Sequence, residues 1–163
     1  MIHDLNDLPR SIISPVNAVK TGLPATLTFR LGYLGTKIAD RFAERIAEHD
    51  LRPKHVGLLI VLTRDEAASQ QELAAQLAVA PSLVVSLADH LERLGAIRRV
   101  RDPEDRRRQV LTLTAAGREL LAACERIAHT LDDEIAAELG AQDRQILHRA
   151  LAAVAKVADL PIG

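Results

Sequence analysis

The stretch from Ser69 to Gly95 constrains the fold of this chain more than any other. Ser69-Gln70-Gln71-Glu72 has the spacing of a capping box, in which the serine oxygen accepts from the Glu72 amide while the Glu72 carboxylate reaches back to the Ser69 amide. It opens a short helix running through Leu73 and Leu77. Three or four residues further on, Pro81 suits the first turn of another helix, with Val84, Leu87, Leu91 and Leu94 inward and Gly95 as its stop. Two helices of this size joined by so short a connection read as a helix-turn-helix.

From Ala96 to Leu113 the helical period is lost. Ile97, Val100, Val110, Leu111 and Leu113 bracket a charged tip, RDPEDRRR, whose Asp102-Pro103 is a turn signal. Two short strands with a polar loop fit, the only plausible sheet in the chain. Thr114 then caps a helix whose apolar stripe runs Leu120, Cys124, Ile127, Leu131, Ile135, Leu139. A final helix from about Gln142 has Ile146, Leu147, Ala150, Leu151, Val154 and Val157 inward.

Upstream, Leu27, Leu31, Leu34, Ile38, Phe42 and Ile46 mark one stripe of a long helix. Gly32 and Gly35 weaken it by about 1 kcal/mol each, which calls for a close helix contact or a bend. Pro53 opens the next helix, with Val56, Leu59, Ile60 and Leu62 apolar. Residues 1–23 hold Pro9, Pro15 and Gly22 without a sustained period and read as an N-terminal arm, where Ser14-Pro15 can open one short helix. The terminal stripes exceed what the small middle portion can cover, and a second copy of the chain is the simplest partner for the surplus. The expected partition is an arm (1–23), a helical dimerisation region (24–50 and 114–163) and a helix-turn-helix module with its hairpin (51–113).

Composition agrees. The chain has 26 Ala and 25 Leu but only Phe29, Tyr33 and Phe42 as aromatics, which favours helix over strand. One cysteine excludes an internal disulfide framework or a cysteine-rich zinc site. No apolar run is long enough for a bilayer, and the acids in MIHDLNDLPR are wrong for a secretory signal, so a cytoplasmic chain with no membrane partner is expected.

A net charge of −1 excludes a uniformly basic nucleic-acid binder. The charge is nonetheless segregated. Residues 1–80 hold nine basic and nine acidic side chains, and residues 119–163 hold four and eight. Within residues 93–108, seven arginines meet three acids, leaving +4. Arginine bridges phosphate with two parallel hydrogen bonds and enters narrow minor grooves, so a hairpin this rich in it, directly after a helix-turn-helix, points to duplex DNA.

The segment SQQELAAQLAVAPSLVVSLADHLERLGAIRRVRDPEDRRRQVLTLTAAGRELL resembles the MarR-type winged-helix transcriptional regulators, and the resemblance runs from about Leu31 to Ala158. Its most specific parts are DHLERLGAI before the hairpin, DPEDRR at its tip and L-T-x-x-G at the next helix. The resemblance implies a mainly α fold with a small β-hairpin wing. It also implies a homodimer held by the first and last helices, reading a pseudo-palindromic operator and released by a small ligand or chemical signal. Asp105 and Arg107 match the family's D-x-R wing signature, the aspartate bracing the hairpin while the arginine enters the minor groove. Arg106 and Arg108 would flank it on phosphates, and Ser69 and Gln70, at a helix N-terminus, suit another phosphate.

The recognition helix departs from the family pattern. Relatives carry a polar run where this chain has Ala80-Pro81-Ser82-Leu83-Val84-Val85-Ser86. Its outward residues are expected to be Pro81, Ser82, Val85, Ser86, His90 and Arg93, none of them long enough for a bidentate base contact before His90. Affinity should therefore come from the wing, the phosphates and DNA shape. A second reading keeps the winged-helix module but gives the hairpin to protein contacts.

Other chemistry finds little support. The sequence has no phosphate loop, no G-x-S-x-G and no H-E-x-x-H, so no enzyme, cofactor or metal is expected. Cys124, on an apolar stripe without basic neighbours, reads as a buried thiol. The six histidines, at 3, 49, 55, 90, 129 and 148, read as solvated surface groups. An effector pocket for a small aromatic or anionic ligand would draw polar handles from Tyr33, Lys37 and His55 and walls from Phe29, Phe42 and Leu59.

Overall fold

A computed structural model of the chain describes residues 21–65, 67–102 and 105–157. Most of the expected N-terminal arm, with its Ser14-Pro15 helix, lies outside the described residues, as do Pro103 and Glu104 of the hairpin tip. The element order is α1 (Leu27–Ile46), α2 (Pro53–Arg64), β1 (Ala67–Ala68), α3 (Gln70–Gln76), α4 (Pro81–Arg93), β2 (Ile97–Arg101), β3 (Gln109–Leu113), α5 (Ala115–Ile135) and α6 (Ala141–Val157). The chain divides into two compact units, one through Cys124 and one from Glu125 onward.

In the first unit each helix starts where a side chain or a proline deals with its unpaired amides. Thr26 Oγ1 accepts from Phe29 N–H at 3.3 Å to cap α1. Pro53 and Pro81 stand in the first turns of α2 and α4, where no amide hydrogen is needed. The α3 capping box is formed, with Ser69 Oγ accepting from Glu72 N–H at 3.3 Å and Glu72 Oε2 accepting from Ser69 N–H at 2.7 Å. The α3–α4 connection turns on Ala78 at φ 49°, left-handed backbone occupied here by a non-glycine residue. Leu73, Val84, Leu87 and Leu91 of this motif are buried, whereas Leu94 is half-exposed.

The core joins these residues to Ile46, Leu51, Leu58, Leu59, Leu62, Ile97, Val110 and Leu111. Ile60, one of the apolar positions of α2, is exposed. The apolar run of α2 buries 58, 59, 61 and 62, so it has no clean period to reveal which position points outward.

The hairpin forms as expected, antiparallel from Ile97 opposite Leu113 to Arg101 opposite Gln109. A third strand adds to it. β1 pairs with β3, Ala67 opposite Thr112 and Ala68 opposite Leu111, giving the order β1-β3-β2. Two alanines carry no strand preference, so this edge was invisible in the sequence.

Thr114 caps α5 by accepting from Gly117 N–H at 3.0 Å. The helix stops at Ile135, short of the expected stripe residue Leu139, which lies in a turn closed by Leu139 N–H donating to Ala136 O at 3.0 Å. In the second unit α6 carries its apolar stripe, but Ile146, Leu147, Leu151 and Val154 are exposed rather than inward. The same holds in the first unit for Leu27, Leu31, Leu34 and Ile38 of α1. An apolar stripe predicts that a face will be covered, and it does not say by which molecule. α1 runs through Gly32 and Gly35 as one helix, with open space where a Gly35 side chain would be.

Candidate nucleic-acid interface

The candidate interface is assembled from the exposed face of α4, the start of α3 and the β2–β3 wing. Pro81, Ser82, Val85 and Ser86 are all exposed on α4, so the short-side-chain surface read from the sequence is presented to solvent. His90 is not presented with them. Its ring stacks on that of buried His55, with centroids 4.4 Å apart and planes 12° from parallel. His90 Nε2 lies 2.6 Å from Asp50 O, and its Nδ1 lies 3.0 Å from Arg93 Nη2. Both histidines are thus drawn into the structure, against the expectation that they are solvated. Neither signal was local, because the two rings come from different helices.

At the wing tip, Asp105 Oδ1 accepts from Arg107 N–H at 3.0 Å and Asp105 O accepts from Arg108 N–H at 2.9 Å. Asp102 N–H donates to Arg108 O at 2.9 Å, closing the loop. This tight backbone leaves the Arg106 and Arg107 side chains exposed. Arg108 has a different environment. Its Nη2 donates to Glu72 Oε1 at 2.6 Å and its Nη1 lies 4.0 Å from Asp102 Oδ2. The expected phosphate contact is therefore engaged as a strut from the wing to α3. The Ser69 amide and Arg108 together hold the Glu72 carboxyl down to about 2. Ser69 itself is buried and its amide is taken by Glu72, whereas the Gln70 amide has no hydrogen-bond partner among the described residues.

A second strut was missed from sequence. Arg99 on β2 reaches Asp89 and Glu92 of α4 with its guanidinium, and its N–H donates to Glu92 Oε1 at 3.3 Å. Its own charge is reinforced by these carboxylates, Asp89 foremost. The signal was present: Asp89 and Glu92 stand three apart on one helix face, shortly before the strand that carries Arg99. Together the struts fix the wing to both helices of the motif.

Among the expected effector residues, Phe29, Tyr33 and Lys37 lie along α1, with Lys37 Nζ 5.9 Å from the Tyr33 ring centre. Leu59 is fully buried in the core. Only His55 of that set lines the cleft of about 680 Å³ beside α4, which also involves Arg52, Pro53, Val85 and Arg93. Cys124 is buried. No single helix among the described residues is long and apolar enough to cross a membrane.

A helix-turn-helix strutted to an arginine-tipped hairpin defines a winged helix, and comparison with known proteins places it. The model of the MarR family matches residues 51–108. The transcriptional repressor CouR, solved bound to a 23-mer DNA duplex, is 30% identical, with 80% of this chain and 92% of that one covered at a TM-score of 0.66. This chain belongs to the MarR family. MarR-family proteins are transcriptional regulators and not enzymes. A relative from Thauera aromatica, assigned as a regulator of the hcr operon, is 32% identical over 108 residues, which is 66% of this chain and 65% of that protein. The chain thus spans just under two thirds of that relative. A second structure of CouR, from Rhodococcus jostii RHA1 and bound to p-coumaroyl-CoA, matches at 21% identity and TM-score 0.69, covering 88% of this chain and 99% of that one. At that identity the likeness concerns the MarR-family fold alone.

Proposed function

We propose that this MarR-family chain is a cytoplasmic DNA-binding repressor that acts as a homodimer on a pseudo-palindromic operator and is released by a small ligand. Residues 51–113 form its DNA-binding domain, and residues 24–50 and 114–163 its dimerisation region. The observation that carries the reading is the pair Arg106 and Arg107, exposed on a tip braced by Asp105 and without an ion-pair partner among the described residues. Such a tip suits entry into a minor groove while α4 lies in the major groove. The exposed leucines of α1 and the exposed stripe of α6 support self-association. The DNA-bound repressor CouR supports the choice of repressor, and its acyl-CoA complex supports release by a ligand.

The α4 face supplies Ser82 and Ser86 hydroxyls, which accept several base edges, and the Val85 methyls, which suit a thymine methyl. Discrimination by α4 is therefore weak and the wing dominates. Titration of labelled duplex from the region upstream of its own gene tests this. Arg107→Ala abolishes most binding, whereas Ser86→Ala costs less than about 1.5 kcal/mol. A greater loss at Ser86 than at Arg107 refutes the assignment. Binding that ignores salt would instead give the hairpin to protein contacts.

A further inference from the structure

The recognition helix α4 is tied to the rest of its unit through His90, and the bonds that tie it fix the protonation of two rings. His90 Nδ1 lies 3.0 Å from Arg93 Nη2. A guanidinium only donates, so this nitrogen accepts and the ring proton sits on Nε2, 2.6 Å from Asp50 O. His55 Nδ1 accepts from Arg52 N–H at 2.9 Å, which places its proton on Nε2 as well. The two imidazoles stack, with centroids 4.4 Å apart. The contact joins the first turn of α2 to the last turn of α4 and, through Asp50, to the turn that follows α1.

Every bond in this set requires neutral rings. A proton added to His55 at Nδ1 removes the acceptor for Arg52 N–H, and one added to His90 at Nδ1 turns two donors on each other. The charges around the pair oppose that proton as well. Arg52 stands just before α2 and Arg93 on α4, so both elements meet the rings with a cation. The Asp50 carboxylate, 3.5 Å from His90 Nε2, pulls the other way, but its side chain is 69% exposed and its pull is screened. The Asp89 carboxylate of α4 lines the same cleft and is committed to Arg99. α1 offers Ala43 to this cleft and the turn after it Ala47, neither of them charged. His55 is 6% exposed, so a charge on it is also poorly hydrated.

We propose that the stacked His55–His90 pair is a proton-sensitive latch on the recognition helix: with both rings neutral it holds α4 against α2 and the Asp50 turn, and a proton on either ring releases α4 and weakens the grip on duplex DNA. The consequence for DNA rests on the proposed function, while the latch itself rests on the bonds above. Ser82, Val85 and Ser86 are carried on the same helix, so a shift of α4 moves the surface assigned to base contact. The direction of the effect separates it from ordinary electrostatics. Histidines beside a DNA-binding face raise affinity as they gain charge in acid, because each added cation can neutralise a phosphate. The latch gives the reverse.

The test is the duplex affinity of the full chain, read by anisotropy at one salt concentration from about pH 7.5 to 5.5. In the closed latch His55 is lowered from 6.5 to about 4, by burial first and then by His90 and Arg52. A released ring returns to its ordinary value, so the balance moves toward the open latch about tenfold over this range. Affinity should therefore fall about three- to tenfold. His90→Phe keeps a stacking ring that takes no proton, and both it and His55→Gln should flatten the fall. His129→Gln, at an exposed histidine of the other unit, should leave the fall unchanged. Nitrogen NMR of the free chain should show both rings as Nε2–H at about pH 7.5, with amide shifts at Ser82, Val85 and Ser86 as the pH falls. Affinity that stays constant or rises in acid overturns the latch, as does a fall that survives both substitutions or an Nδ1–H tautomer at either ring. A chain that binds no duplex at any pH loses the proposed function and the consequence for affinity, while the tautomers and the α4 shifts still decide the latch.

Discussion

Gly117→Ala sets two simple expectations against each other. Helix propensity alone favours alanine inside α5 by about 1 kcal/mol. The local geometry opposes it. A Cβ on Gly117 would stand 2.0 Å from Ala96 O, 2.9 Å from Ala96 C and 2.7 Å from Leu113 Cδ1, where real contacts stay above 3.0 Å. Backbone atoms cannot rotate away as a side-chain tip can, so α5 and the start of β2 must part by about 1 Å. That movement pulls on the bonds that tie α5 to the root of the wing. Thr114 N–H donates to Ala96 O at 3.0 Å, Thr114 Oγ1 lies 2.7 Å from Gly95 O, and Gly117 N–H donates to Thr114 Oγ1 at 3.0 Å.

Each such bond is worth about 1 kcal/mol, and losing the Thr114 cap about as much again. After the propensity gain, the variant should be less stable by about 2–3 kcal/mol. For a chain of this length that corresponds to roughly 4–12 °C in melting temperature. Thermal and urea denaturation at one fixed protein concentration measures it, since self-association makes the midpoint concentration-dependent. An unchanged or raised melting temperature would refute the reasoning, because only propensity would then be acting.

Two further outcomes follow from the site. Arg99→Ala removes the strut between β2 and α4 and leaves Asp89 and Glu92 facing each other, so stability should fall by about 1–2 kcal/mol and duplex affinity about tenfold, by denaturation and anisotropy. For His55, burial first, then His90 and Arg52, lower the imidazole from 6.5 to about 4. The unfolded chain therefore takes up this proton before the folded one. The stability it confers is whole above pH 6.5 and is lost as pH falls toward 4. Between pH 7.5 and 5, above the range where Glu72 titrates, the urea midpoint should drop by the equivalent of about 1–2 kcal/mol, and His55→Gln should flatten that slope.

Local rules made much of this fold legible. The Ser69–Glu72 box, the prolines at 53 and 81, Gly95 and Thr114 each act within a few residues, and each sits at the helix or strand boundary where it was expected. What escaped depends on encounters between distant residues. β1 exists because Ala67 and Ala68 lie beside β3, and His55 meets His90 because α2 packs on α4. The exposed stripes on α1 and α6 mark another limit: periodicity fixes that a face is apolar, while its cover depends on what else is in solution. The expected effector residues failed to gather for a related reason. They were chosen by residue type near two helix ends, and Leu59 went to the core while His55 went to the cleft.

The arginine cluster shows the same limit in its electrostatics. By count, residues 93–108 carry seven arginines. Tertiary contacts then divide them. Arg99 and Arg108 are held by carboxylates, Arg93 by His90, and Arg98 Nε donates to Thr112 Oγ1 at 3.2 Å. Among the described residues, Arg101, Arg106 and Arg107 are the ones left without such partners. Phosphate neutralisation is read by the dependence of log affinity on log salt, about −0.9 per phosphate. The five arginines without a carboxylate partner in each half of the proposed dimer give a slope of at most about −9, while all seven acting would give about −13. Binding measured across a salt series separates the two cases. A slope near the larger figure means that DNA strips Arg99 and Arg108 from their carboxylates, and that the struts are switches; a slope near the smaller one means they are scaffold, and that the effective charge of this module is set by its folded contacts and not by its composition.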